Sequence, residues 1–298
     1  MRLVTFVQDG RERLGGLIDD QVIDLAAAHQ AYIGGYHLPS TMRAFLEAGP
    51  DAWAEAERTL AVPDLSPFAR PLSGVRLLAP IPDPPKVVAI GQNYLDHVRE
   101  QNAPVPDRPI IFTKFPTAII GPNDEIRWDP ALTGKVDWEV ELAVIIGRRA
   151  RRVPAERAYE HVFGYTIAND VSARDLQFSD GQWVRSKSLD TFCPLGPWIV
   201  TRDEILDPHT LAIRCRVNGE LMQSSCTDQM IFRIPYLIEF ISRAFTLLPG
   251  DIILTGTPPG VGHFRKPPRY LRNGDVVTVE IEGIGIMSNL CRTEEGSE

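Results

Sequence analysis

Cysteine is scarce in this sequence, and the few residues present are scattered. Cys193, Cys215, Cys226 and Cys291 form no CxxC pair, which argues against a thiolate zinc site. Isolated thiols in a chain of enzyme size suit a reducing cytoplasm, the expected location. Long hydrophobic runs are missing too. No stretch reaches the roughly 20 apolar residues of a membrane span. The opening MRLVTFVQDGRERLGG lacks the apolar core of a signal peptide. Positive charge is not in excess: 31 Lys and Arg against 39 Asp and Glu leave a formal net charge of −8. That balance argues against a nucleic-acid partner. The Gly-Lys-Ser/Thr of a phosphate loop is missing, and there is no internal repeat or low-complexity tract.

What is present is an ordinary globular composition, 44% hydrophobic and 23% charged in 298 residues. Such a length suits one large domain with a smaller one. Residues 3–7 and 14–18 predict a hairpin around Asp9-Gly10, and a short strand is predicted over 21–25. Helices are predicted over 41–48 and 52–60, separated by Gly49-Pro50. Next comes a run holding Pro63, Pro67, Pro71, Pro80, Pro82, Pro84 and Pro85. No regular helix survives such a run. It reads as an extended linker with a domain boundary near residue 75, giving a small α+β module (1–75) and a main domain (76–298).

The main domain reads as mainly β. Strands are predicted over 86–90, 110–115, 139–146, 164–169, 211–217, 251–254 and 276–281. Asn218-Gly219 signals a hairpin. One long helix is predicted over 234–247, with Pro235 in its first turn and Pro249-Gly250 beyond its end. Many strands and few helices point to a folded-over β architecture.

Glu139-Val140-Glu141 opens the apolar segment EVELAVIIG. Alternation puts both glutamates on one face, roughly 7 Å apart at about 3.3 Å per residue. Both faces are apolar from Leu142 onward, as in a buried strand. Two carboxylates at its head would repel each other and lose hydration. A hard divalent cation resolves both problems. The same tripeptide also fits an exposed strand end. Asp170 closes the apolar run FGYTIAND and could supply a third oxygen ligand, or simply a turn. His97 and Glu100, three residues apart on a short helix, can touch. A carboxylate beside an imidazole fixes its tautomer and suits a general base. An incidental surface pair is the alternative. Lys187 could stabilise developing negative charge, and the turn Thr255-Gly256-Thr257-Pro258-Pro259-Gly260 could cradle a carboxylate.

In order along one domain stand GQNYLDH with its HxxE pair, FTKFPTAIIGP, the Glu-Val-Glu strand, GYTIANDVSARDLQ, KSLDTFCPLGP and TGTPPGVG. Over residues 86–291 this order strongly resembles the fumarylacetoacetate hydrolase family. Within it the sequence is most similar to the bacterial acylpyruvate and fumarylpyruvate hydrolases and the 2-hydroxyhepta-2,4-diene-1,7-dioate isomerase-like members.

The resemblance implies a mixed β-roll catalytic domain behind a small N-terminal α+β domain, assembled as a homodimer. It implies Mg²⁺ or Mn²⁺, with Ca²⁺ as a further oxygen-seeking candidate, at Glu139, Glu141 and Asp170. It implies a catalytic His97–Glu100 dyad on a segment that closes over substrate, and Lys187 polarising that substrate. Arg174 and Gln177 match substrate-contacting positions, Thr257 a carboxylate-binding threonine, and Lys114 a further site lysine. The additional upstream aspartate ligand of the mammalian hydrolases has no clear counterpart, since Asp96 aligns poorly.

The expected reaction is hydrolysis of a C–C bond in an acylpyruvate-type 2-oxo acid, with His97 activating water. An isomerase of 2-hydroxymuconate-type diacids or an oxaloacetate decarboxylase would share the same site. A metal-stabilised scaffold that binds a small acid without turnover is the non-enzymatic alternative. The dyad and Lys187 argue against it.

Overall fold

A computed structural model describes residues 1–294. The N-terminal hairpin, Arg2–Gln8 with Arg11–Ile18, turns at Asp9 and Gly10, both at positive φ. Gln21–Asp24 extends it, and helices follow at Met42–Ala48 and Pro50–Leu60. The sequence reading missed the helix Leu25–Tyr32, although Asp24 caps it by accepting from the Ala27 N–H, and the short helices Arg174–Ser179 and Val184–Lys187. The proline-rich run carries single 3₁₀ turns and two short edge strands, Ala69–Pro71 and Arg76–Leu77.

The hairpin pairs directly with the main domain, with Arg2 opposite Val200 and Leu3 opposite Ile199. One twelve-stranded mixed sheet therefore runs through both parts of the chain. Its partner strand there, Cys193–Thr201, escaped the sequence reading because CPLGPWIVT carries Pro194 and Pro197. Interior prolines normally argue against a central strand. A second sheet of five strands, which includes Ala212–Val217, Val276–Ile281 and Gly285–Thr293, folds over the first. The long helix ends earlier than predicted, at Ile234–Ala244, because Phe245 is already extended. No helix among the described residues is long and apolar enough to cross a membrane.

The strand Val140–Ile146 lies at the centre, buried on both faces. Val140, Leu142 and Val144 pack with Ile213, Val277 and Val279 of the second sheet. Ala143 and Ile145 point the other way, toward Phe45 and Leu46 of the N-terminal helices. This is the period of two that a doubly covered strand requires.

Sheet register positions the site. Val162–Asn169 runs antiparallel to the central strand with Val140 opposite Asn169, so Asp170 emerges beside Glu139. On the other side, Ile252–Leu254 pairs antiparallel, and Thr255 to Thr257 then pass alongside Leu142 to Val140. Val87–Gly91 lies parallel to Ile252–Leu254 and delivers the His97 helix, Leu95–Glu100, to the same edge.

Candidate active site

Three strand ends converge, and the carboxylates of Glu139, Glu141 and Asp170 offer oxygens within 4.8 Å of one another. All three residues are buried. Asp170 donates its backbone N–H to the Glu139 carbonyl at 2.8 Å, which fixes the two chains side by side.

The three carboxylates are not equally compensated. Lys187 Nζ donates to Glu139 Oε2 at 2.7 Å and to Asp170 Oδ2 at 2.8 Å. Lys114 Nζ donates to Asp170 Oδ1 at 2.6 Å and to the Val171 carbonyl at 3.1 Å. Arg174 reaches Glu139 Oε1 at 2.6 Å. Burial pushes the Glu139 carboxyl up, but Lys187 and Arg174 more than cancel it and hold the pKa at about 2. Burial lowers the Lys187 ammonium, while Asp170 and Glu139 outweigh that and raise it. Glu141 has only the Gly256 N–H, at 2.7 Å, and forms no salt bridge among the described residues. Burial first, then the charges of Asp170 and Glu139, drive its pKa well above the carboxylate range.

Four buried carboxylates (Asp137, Glu139, Glu141, Asp170) thus meet three buried cations (Lys114, Arg174, Lys187). The excess charge falls on Glu141, beside the oxygen cluster. An all-oxygen donor set with one uncompensated anion fits a hard divalent cation such as Mg²⁺ or Mn²⁺.

His97 stands across the cavity. Its Nδ1 donates to Glu100 Oε2 at 2.9 Å, and Glu100 Oε1 accepts from the Gly260 N–H at 3.0 Å. Nε2 is left to act toward the cavity that His97 lines. Phe264 sets an aromatic edge against the imidazole at 5.8 Å between centroids. The cavity is small, about 90 Å³, and Glu139, Glu141, Arg174, Gln177, Lys187 and Thr257 share its lining.

Most of the sequence-predicted residues therefore meet in one place. Lys114 is away from the cavity lining, its ammonium held behind the cluster by Asp170. The Thr257 hydroxyl is engaged internally, donating to the Val140 carbonyl at 3.0 Å and accepting from Gln223 at 2.8 Å. Asp96 lies outside the carboxylate cluster, accepting from Ser225 and from the His97 N–H.

Residues 86–291 match the family described as fumarylacetoacetate (FAA) hydrolase, C-terminal. The chain belongs to the fumarylacetoacetate hydrolase family. It is 50% identical over 97% of its length to the mitochondrial oxaloacetate tautomerase fahd2 of Xenopus laevis, covering 89% of that protein. Among solved structures it resembles the fumarylacetoacetate hydrolase of Exiguobacterium antarcticum, with TM-score 0.84 and 42% identity over 99% of this chain and 100% of that one. Maleylpyruvate hydrolase from Sphingobium is similar over the same shares, with TM-score 0.80 and 34% identity. The named relatives in this family are enzymes, and they include both a tautomerase and hydrolases.

Sequence reasoning missed several site residues. Asp137 lies two residues before Glu139 and shares Arg174 with it, but the strand breaks at 138–139, so no simple alternation announces it. Phe264 and Trp183 line the cavity and Gln223 braces Thr257, but as single residues in loops or an edge strand they carry no local pattern.

Proposed function

We propose that this chain is a divalent-metal-dependent tautomerase that interconverts the enol and keto forms of oxaloacetate or a closely similar 2-oxo diacid. The observation that carries this reading is the near end-to-end likeness to an oxaloacetate tautomerase, 50% identical over 97% of the chain. The site's geometry supports it. Tautomerisation moves one proton between the enol oxygen and C3 and consumes no water. The cavity that His97, Glu139, Glu141, Arg174 and Lys187 line together sets a base, the oxygen cluster and two cations around one small space, as proton transfer on a diacid requires.

In this reading Glu139, Glu141 and Asp170 hold the ion. A divalent cation there would supply Lewis acidity toward the 2-oxo group. His97 Nε2 takes or returns the proton at C3. Glu100 holds Nδ1 and so keeps the imidazole in one tautomer. The Lys187 ammonium meets the charge that develops on the 2-oxygen. Arg174 and Gln177, already hydrogen-bonded to each other at 2.9 Å, face the cavity to receive a carboxylate.

C–C hydrolysis of an acylpyruvate is the second reading, favoured by the likeness to maleylpyruvate hydrolase. Two parallel assays with Mg²⁺ separate them: enol absorbance of oxaloacetate with pyruvate and CO₂ measured in the same tube, and pyruvate release from an acylpyruvate. Enol loss without pyruvate supports the tautomerase. Pyruvate released from an acylpyruvate, with enol loss no faster than in buffer, moves the assignment to the hydrolase. Pyruvate with CO₂ from oxaloacetate would make it a decarboxylase. We further propose a homodimer, as the family resemblance implies, and a reducing compartment such as the cytoplasm, in keeping with four free cysteines, three of them buried.

A further inference from the structure

Asp137 is a fully buried carboxylate that neither lines the cavity nor belongs to the oxygen cluster. Four donors surround it. Oδ1 accepts from the Gly262 N–H at 2.6 Å and the Trp138 N–H at 2.9 Å. Oδ2 accepts from the His263 N–H at 2.9 Å and from Arg174 Nε at 2.8 Å. A carboxylate offers about four lone-pair sites, and all are used. One side of Asp137 is therefore a guanidinium that faces the cavity. The other side is the backbone of loop 260–264.

That loop has a second attachment. Its Gly260 N–H holds Glu100, the partner of His97, and its Phe264 packs on the His97 ring. The loop is packed closely against neighbouring backbone at Gly260 and at Gly262. A Cβ on Gly262 would fall 1.9 Å from the Arg269 carbonyl, and one on Gly260 2.0 Å from the Met222 carbonyl. Asp137 and Glu100 thus hold one closely packed five-residue segment at different points along it.

We propose that Asp137 is a positioning residue that sets Arg174 and the His97–Glu100 dyad in one register through loop 260–264. A substrate carboxylate that settles on Arg174 then finds C3 in front of His97. The inference rests on the tautomerase reading only for the reaction used to test it.

The test is a double-mutant cycle of Asp137→Asn with Glu100→Gln, read as kcat for enol-to-keto conversion of oxaloacetate by the Mg²⁺-loaded enzyme. Asparagine keeps one acceptor and loses the charge. Each single change is expected to lower kcat by about ten-fold or more, and the double variant to fall little below the worse single, a coupling within the range seen for residues in one network. Loss factors that simply multiply would overturn the proposal, since a general packing defect at Asp137 gives that result. Should Asp137→Asn fail to fold, Asp137→Ser, which keeps a smaller acceptor, goes through the same cycle with the same two outcomes. A wild-type enzyme inert toward oxaloacetate would instead refute the tautomerase reading.

Discussion

Glu141 is a buried carboxylate with like charges beside it and a single backbone N–H for support. Its behaviour without metal follows from that. Its pKa in the folded state lies above the ordinary 4.5. Its contribution to stability is therefore fully present below about pH 4.5 and is lost as pH rises through the folded value. Glu139 has the opposite sign. Held down at about 2, it stabilises the fold above pH 4.5 and loses that effect as pH falls toward 2. In EDTA, Glu141→Gln should melt higher than wild type at pH 7, and the gap should close on acidification toward pH 4. With saturating Mg²⁺ or Mn²⁺ the order should reverse at pH 7, and calorimetry should show metal binding lost in Glu141→Ala. Thermal melts across pH with and without metal check both signs; a Glu141→Gln variant no more stable than wild type in EDTA contradicts the charge accounting.

The elements that hold these residues were legible in the sequence to different degrees. EVELAVIIG and FGYTIAND announced buried strands by their continuous apolar runs, and the carboxylates at their ends were visible for the same reason. Their nearness was not legible from either run alone. It comes from an antiparallel register that puts Val140 opposite Asn169, a long-range choice that no local pattern encodes. Cys193–Thr201 was hidden by its prolines, and Gln223 sits in an ordinary-looking edge strand, Glu220–Cys226. TGTPPG reads as a turn able to cradle a substrate carboxylate, but two of its N–H groups serve the protein's own carboxylates: Gly256 holds Glu141 and Gly260 holds Glu100. Gly260 has φ of 101° and no space for a Cβ, so Gly260→Ala is strained twice over. We expect it to lower kcat by about ten-fold or more, in line with the loss of oriented general-base catalysis, while metal affinity changes little. Parallel kinetics and calorimetry decide this. A loss of metal binding equal to the loss of kcat would mean the turn serves the cluster and not the dyad.

Across the whole molecule, the small N-terminal part and the catalytic part share one sheet. Arg2–Gln8 completes the edge of Cys193–Thr201, and Phe45, Leu46 and Ala52 bury the outer face of the strand that carries Glu141. Without them, Ala143, Ile145 and Ile199 would face water, and a continuous apolar strip of that kind promotes aggregation. Deletion of residues 1–75 should therefore give protein that is insoluble or melts far lower, and not a shorter active enzyme. Soluble expression with a native-like melt and normal metal binding would contradict this.

The central claim is that His97, beside a carboxylate-held metal, moves a proton at C3 of a small 2-oxo diacid. The most direct measurement is exchange of the C3 protons of oxaloacetate in D₂O, followed by NMR with the Mg²⁺-loaded protein and with His97→Ala. The account predicts exchange well above the buffer rate for wild type, no matching rise in pyruvate, and a loss of about 10² to 10⁴ in rate for His97→Ala with metal binding intact. Exchange that survives His97→Ala, or that appears only in step with pyruvate release, would contradict it.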